Sequence, residues 1–202
     1  MFGATGGTGR QVVEQALERG HEVSVLARRP EAVGASDERL SVHQGDALDP
    51  EAVRPVVQGA DAVVCVLGLK KAEGTSVSEG TRNICEAMGA AGVERLVAVT
   101  VMGLRDSRDK AGMFGKVIIP VLLKKRMEDR VRQEEVIEAS GLDYAIVRPT
   151  RLVDGEPTGS YSAGPDVSSG MSSKVVRGDL AHFVLAQAEG GDVHRGAASV
   201  VG

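Results

Sequence analysis

Little sulfur, few tyrosines and no surplus of positive charge mark this 202-residue chain, and each shortage removes a class of function. Its 2 cysteines, Cys65 and Cys85, lie in apolar or helical surroundings with no CxxC pair. No disulfide is expected, and buried thiols in a reducing cytosol are. The formal net charge of −4 means that no overall positive field recruits nucleic acid or an anionic membrane. No apolar run reaches the ~18 residues of a spanning helix, and the start has no charged segment leading into an apolar one. Neither membrane nor secretion is indicated, so a cytoplasmic protein is expected. His21, His43, His182 and His194 are scattered, without the i, i+4 spacing of a helical zinc site or a cysteine cluster, so no metal is expected. No G-x-S-x-G elbow occurs, which leaves serine hydrolase chemistry without support. The only tyrosines, Tyr144 and Tyr161, are followed four residues later by Arg148 and Pro165. A phenol made acidic by a lysine one helical turn on is therefore missing.

What the chain does have is alternation. The β-branched runs "EVSVLARR", "RLSVHQGD", "ADAVVCVLG", "VERLVAVTV" and "LDYAIVRP" alternate with helical patterns, which predicts an α/β protein with a doubly wound parallel sheet. The length suits one domain over residues 1–202. Gln11 to Arg19 puts Val12, Val13, Ala16 and Leu17 on one side, and Gly20 stops it. Ser78 to Ala91 and Arg126 to Ala139 supply longer helices. Leu104 to Lys125, interrupted by Pro120 inside "VIIPVLL", reads as a surface crossover covering the sheet, with a lid or docking surface as the alternative. In "LLKKR" and the Glu128 and Asp129 that follow, a solvated face is expected. Val153 to Lys174, rich in Gly, Ser and Pro, reads as a long loop. Asp179 is expected to cap "LAHFVLAQAEG", with His182 packed or capping, and "AASVVG" offers a last strand.

The opening "MFGATGGTGR" carries the chemistry. In a doubly wound sheet the first strand-to-helix turn faces the phosphates of a dinucleotide. Gly3 permits the tight turn, Gly6 and Gly7 let backbone approach a pyrophosphate, and Gly9 lets the helix pack close. The helix beginning near Arg10 aims free N–H groups at the anion, and Thr5, Thr8 and Arg10 add hydroxyl or guanidinium contacts. Only Met1 and Phe2 precede the turn. Two accounts fit, a first strand truncated by a start placed too late or a shortened central strand that the fold tolerates, and the first is favoured. At the end of the second strand stand Arg28 and Arg29 rather than an acidic residue. A guanidinium pairs with a 2′-phosphate, which predicts NADP over NAD by roughly ten- to a hundredfold. "GDALD" sets Asp46 and Ala47 near an adenine.

In order and spacing, "GATGGTGR", the strand ending in Arg28, "GDALD", "VVCVLG", "SEGTRNI", "VAVT", "EASGLDYAIVRP" and "PTGSY" resemble the atypical short-chain dehydrogenase group of NADPH-dependent flavin and biliverdin-IXβ reductases, over nearly the whole chain. The resemblance implies a Rossmann NAD(P)-binding fold with NADP extended across the carboxyl edge of the sheet. It implies contacts at Gly3, Thr5, Gly6, Thr8, Arg28, Asp46, Ala47, Leu67, Gly68, Thr100, Pro149 and Thr150, with Lys70 near the phosphates. Two positions depart from the group's pattern: Val101 stands where it commonly has a serine beside the nicotinamide, and Arg151 where it has a pocket histidine. Thr100 offers a neighbouring hydroxyl, or is a buried threonine satisfying a backbone carbonyl. Thr100 and Arg151 are thus the candidate catalytic residues. A flavin, quinone or tetrapyrrole acceptor fits these departures, since such a ring takes hydride and collects its proton from water. Its pocket would be formed by Val101, Met102, Met113, Phe114, Arg151 and Leu152, with Arg151 meeting a phosphate or propionate. A non-catalytic NADP(H) sensor is the alternative, and a sugar-nucleotide epimerase or dehydratase is third.

Overall fold

Along Arg95–Val99 every residue is buried, as expected of a strand covered on both faces by crossover helices. The computed structural model describes residues 1–68, 76–104, 124–170, 172–193 and 195–202. Among them, α1 (Gly7–Glu18) leads to β1 (Val23–Ala27), β2 (Leu40–Gln44), α2 (Pro50–Val57), β3 (Ala62–Cys65), α3 (Ser76–Ala91) and β4 (Arg95–Val99). Then follow α4 (Lys124–Ala139), β5 (Asp143–Pro149), β6 (Arg151–Val153), β7 (Ser162–Gly164), β8 (Lys174–Val176), α5 (Arg177–Ala188) and β9 (Gly196–Val201). β1 pairs with β2, and β3, β4, β5 and β9 follow one another, all in parallel; β7 closes that edge antiparallel to β9. The doubly wound sheet is thus observed. Leu96 and Ala98 of β4 pack with Val53 of α2, Ile84 and Met88 of α3 and Ile137 of α4. Val97 and Val99 pack on the opposite face with Val12 and Ala16 of α1 and Leu180 and Val184 of α5. The period-2 alternation of the strand places these sets on opposite faces.

Phe2 sits where a first strand is expected. It makes parallel bridges to Leu26 of β1 and Cys65 of β3, joining the two parts of the sheet. Its N–H donates to the Val64 carbonyl at 2.9 Å, and its carbonyl accepts from Val66 at 2.8 Å. Met1 accepts from the Leu26 N–H at 3.1 Å. The ring of Phe2 is buried, a contribution of about 1.5–3 kcal/mol. In a chain that starts at Met1, its amino group donates to the Ser24 carbonyl at 2.6 Å, and loss of solvent lowers its pKa from 8.0 to about 5.

Four expectations change. The helix after the glycine turn begins at Gly7 and not near Arg10, with Gly6 as its N-cap. The loop from Val153 to Lys174 contains β7, while β6 and β8 pair in parallel at its ends. Three-residue strands are too short to display alternation, and their partners are distant in sequence. Asp179 does not cap α5, whose N-cap is Val176. Its carboxylate instead accepts from the N–H groups of Thr158 and Gly159 and from the Thr158 hydroxyl, at 2.9, 2.9 and 2.6 Å. His182 is exposed, its Nδ1 2.8 Å from the Tyr161 hydroxyl. Lys70, Met113, Phe114, His194 and positions 105–123 of the expected crossover lie outside the described residues.

Candidate functional site

At the carboxyl ends of β1 and β3 the glycine turn is held by backbone geometry. Gly3 has φ +92°, in the region that favours glycine. A Cβ there would strike the Val66 carbonyl, and one on Gly9 would strike the Gly3 carbonyl. The Gly6 N–H donates to the Gly3 carbonyl at 3.1 Å, and the Arg10 N–H to that of Gly6 at 2.9 Å. The protein's own packing does not require glycine everywhere. A Cβ on Gly6 would meet only the Gly3 oxygen at 3.5 Å, and one on Gly68 would meet nothing within 4 Å. Both positions border a cleft of about 200 Å³, where a side chain would take space from a bound group.

The cleft brings together Gly3, Thr5, Gly6, Arg28, Asp46, Ala47, Leu67 and Gly68 of the predicted set. Leu26, Leu48, Ser76 and Val77 also line it and were not anticipated. Arg28 approaches Asp46 loosely, Nη1 to Oδ2 at 3.7 Å, with side chains 65% and 45% exposed. Asp46 also accepts from the Leu48 N–H at 3.1 Å, and Asn83 Nδ2 donates to the Ala47 carbonyl at 2.9 Å, so the "GDALD" turn is tied from both sides. Arg10 is directed elsewhere. Its Nη2 donates to the Ala32 carbonyl at 3.0 Å, tying α1 to the loop after β1. Arg29 is exposed and precedes the 3-10 turn at Pro30–Ala32. Thr8 and Gly9 are buried, while Gly7 is exposed at the helix start. A larger cleft, about 910 Å³, lies between α1, α5 and the 155–161 loop, away from these strand ends, with Tyr161 and His182 on its wall.

Thr100, Val101, Pro149, Thr150 and Arg151 follow or end β4 and β5. The Thr100 N–H donates to the Val147 carbonyl at 2.9 Å and that of Met102 to Pro149 at 3.1 Å, so the ladder continues past β4. Thr150 donates its N–H to Val200 at 3.1 Å, Val101 is half-buried and Arg151 is exposed. The hydroxyl of Thr100 has a side-chain partner. It is buried and donates to Glu134 Oε1 at 2.8 Å, satisfying a side-chain carboxylate. Its single proton is engaged in that hydrogen bond.

Beneath that edge, α4 carries a polar strip that sequence reading missed. Glu134 is paired through two bonds with Arg148, Nε to Oε1 at 3.0 Å and Nη2 to Oε2 at 2.8 Å, both side chains almost wholly buried. Arg130 donates from Nη2 to the Leu67 carbonyl at 2.8 Å and from Nη1 to that of Val99 at 3.3 Å. It thereby ties the ends of β3 and β4, and burial lowers its pKa. Asp129, expected on a solvated face, is fully buried and accepts from the N–H groups of Val77 and Ser78, at 3.1 and 3.2 Å, and from the Ser78 hydroxyl at 2.6 Å. An anion there suits the positive end of α3. Gln133 donates to the Thr81 hydroxyl at 3.1 Å beside Cys65, whose thiol pKa is raised by burial. A signal was available, since Asp129 with Gln133 and Arg130 with Glu134 recur at i, i+4 on the side that also presents Ile137. Among the described residues no group of three His, Cys, Asp or Glu side chains could hold a metal, and no helix is long and apolar enough to cross a membrane.

A glycine turn opening a helix, an arginine beyond the next strand and a cleft over the sheet's carboxyl edge define a dinucleotide-binding Rossmann protein. Residues 3–190 match the NAD(P)H-binding family, and the chain belongs to it. A chloroplast protein of Arabidopsis thaliana, At2g34460, is 28% identical over 94% of this chain and 72% of its own length. The structure of ChuY, an anaerobilin reductase from Escherichia coli O157:H7, superposes with a TM-score of 0.82 at 24% identity, covering 99% of this chain and 94% of that one. A short-chain dehydrogenase/reductase from Veillonella parvula, solved in complex with NADP, does so with 0.81 at 18% identity over 98% and 91%. The NAD(P)H-binding class expected from the motifs is thus found.

Proposed function

We propose that this protein is an NADPH-dependent reductase that delivers hydride to a flat, electron-poor acceptor, a flavin, quinone or tetrapyrrole, within one coenzyme-binding domain over residues 1–202. The observation that carries the reading is the cleft itself, with unfilled space over Gly6 and Gly68 and the loosely held Arg28 at its adenosine end. The first-turn N–H groups of α1 would take the diphosphate. Arg28 would take the 2′-phosphate, favouring NADP over NAD, and the Asp46–Ala47 turn would flank the adenine. Leu67 and Gly68 would border the path toward the edge formed by Thr100, Val101, Pro149 and Thr150. The bound coenzyme supplies the hydride. The protein's part is to hold ring against ring, and Arg151, exposed at that edge, is free to meet an anionic arm of the acceptor. With the Thr100 hydroxyl hydrogen-bonded to Glu134, water supplies the proton that the reduced acceptor takes up. ChuY's reductase identity supports the tetrapyrrole class among these acceptors. The two buried free cysteines suit a reducing cytoplasm.

The same engagement of Thr100, with Val101 next to it, favours one competing reading, a sensor that binds NADP(H) without turnover. Steady-state assays with NADPH and FMN, riboflavin, biliverdin or a quinone separate the two. Acceptor-dependent NADPH oxidation is the expected result. Tight binding of NADPH that is never consumed with any of them would transfer the case to the sensor.

A further inference from the structure

Arg177, the first residue of α5, lies against the start of α1. A Cβ built on Gly7 would lie 2.8 Å from both Cδ and Nε of Arg177, so the arginine stem fills the space that a side chain at Gly7 would need. Its backbone is fixed there. Gln15 Nε2 donates to the Gly178 carbonyl at 2.9 Å, and Pro157 presses so close that a Cβ on Gly178 would sit 2.6 Å from its Cγ. The side chain has more freedom: it is 26% exposed, and Nη1 meets Asp154 Oδ1 at 2.7 Å, a carboxylate that is itself 91% exposed. Such a solvated pair holds weakly.

The electrostatics of this arrangement call for a third party. A cation beside a helix N-terminus opposes the positive end of the helix dipole. The first-turn N–H groups have no intrahelical acceptor, and Gly6 provides no side-chain cap. An anion between helix end and guanidinium would satisfy both, and a guanidinium fork matches two phosphate oxygens. Arg10, which the motif alone assigns to the phosphates, is turned to Ala32. We infer that Arg177 is the diphosphate-side cation of the coenzyme site, exchanging Asp154 for a bound dinucleotide and closing over Gly7. The inference rests on the coenzyme reading of the glycine turn.

Calorimetry with NADPH, with 2′-phospho-ADP-ribose, and with adenosine 2′-monophosphate competing against NADPH tests it. In Arg177→Ala the two diphosphate ligands should bind about tenfold more weakly, about 1.4 kcal/mol, while the monophosphate changes by less than about twofold. Asp154→Asn removes the rival anion and should tighten NADPH roughly two- to fivefold, an effect of opposite sign that does not depend on how Arg177→Ala folds. Diphosphate affinity within about twofold of the unaltered protein in Arg177→Ala, equal loss of the monophosphate, or weaker NADPH binding in Asp154→Asn would overturn the assignment. Absence of saturable NADPH binding to the unaltered protein is a different result, which removes the coenzyme reading and this inference together.

Discussion

Exchanging Arg28 for glutamate should reverse the coenzyme preference, and the size of the effect follows from the surroundings of that side chain. Arg28 is 65% exposed and only 3.7 Å from Asp46, so little is lost when its guanidinium turns to a phosphate. A charge-assisted hydrogen bond contributes about 1.5–3 kcal/mol when well formed, and solvent exposure selects the lower end, roughly tenfold in affinity. Glutamate removes that bond and adds repulsion, about 1 kcal/mol for two charges ~4 Å apart in water. Asp46, no longer faced by a cation, adds to the same repulsion. Together these reach about 3 kcal/mol, so NADPH should bind on the order of a hundredfold more weakly. NADH should bind as well as before or better, because a carboxylate at this point accepts from the 2′-hydroxyl. Dissociation constants for both coenzymes at fixed ionic strength near 0.1 M, where the screening length is about 10 Å, give the ratio directly. A ratio unchanged by the substitution would refute the assignment of the 2′-phosphate to Arg28. The complementary change, Asp46→Asn, should strengthen NADPH a few-fold and leave NADH alone.

Three further outcomes follow from buried ionisable groups. Arg148→Met strands the Glu134 carboxylate in the interior and should cost about 3–5 kcal/mol, lowering the melting temperature by roughly 6–20 °C at the usual 2–4 °C per kcal/mol for this size. Adding Glu134→Leu should recover most of that loss in urea unfolding, and a single-variant cost below about 1 kcal/mol would contradict the buried pairing. For a chain that starts at Met1, the amine titrates near 5 when folded and near 8 when unfolded. Between those values the unfolded state binds the extra proton, so stability should rise from pH 5 to pH 8, by up to about 4 kcal/mol, and fall as pH drops through that window. N-terminal acetylation, or apolar residues placed ahead of Met1, should flatten the profile; an identical slope after acetylation would contradict it. Cys65 and Cys85 are both buried, and burial pushes the Cys85 thiol up to about 12. Ellman's reagent at pH 8 should therefore label neither in the native protein while labelling both in urea, and rapid native labelling would count against the described packing.

Much of this protein was legible in its order of residues. The alternation of β-branched runs and amphipathic stretches, the glycine spacing and the arginine after "VSVLA" are local features. Each acts within a few residues of itself, through strand pleat, helix pitch and turn sterics. That is why the parallel sheet, its helices and eight lining residues of the cleft could be anticipated, and why Phe2 takes its place between β1 and β3. The three-residue strands β6, β7 and β8 were not anticipated, because no periodicity fits into so short a run.

The tertiary structure alone decided where protons and charges go. Thr100 lost its freedom as a donor to Glu134, 34 residues away, and Asp129 left the solvated face expected for it to receive the start of α3. Arg10 turned from the phosphate turn while Arg177 arrived there from the far end of the chain. A side chain's hydrogen-bond partner is set by which distant segments share its few ångströms of space, and no local rule of propensity or period carries that information.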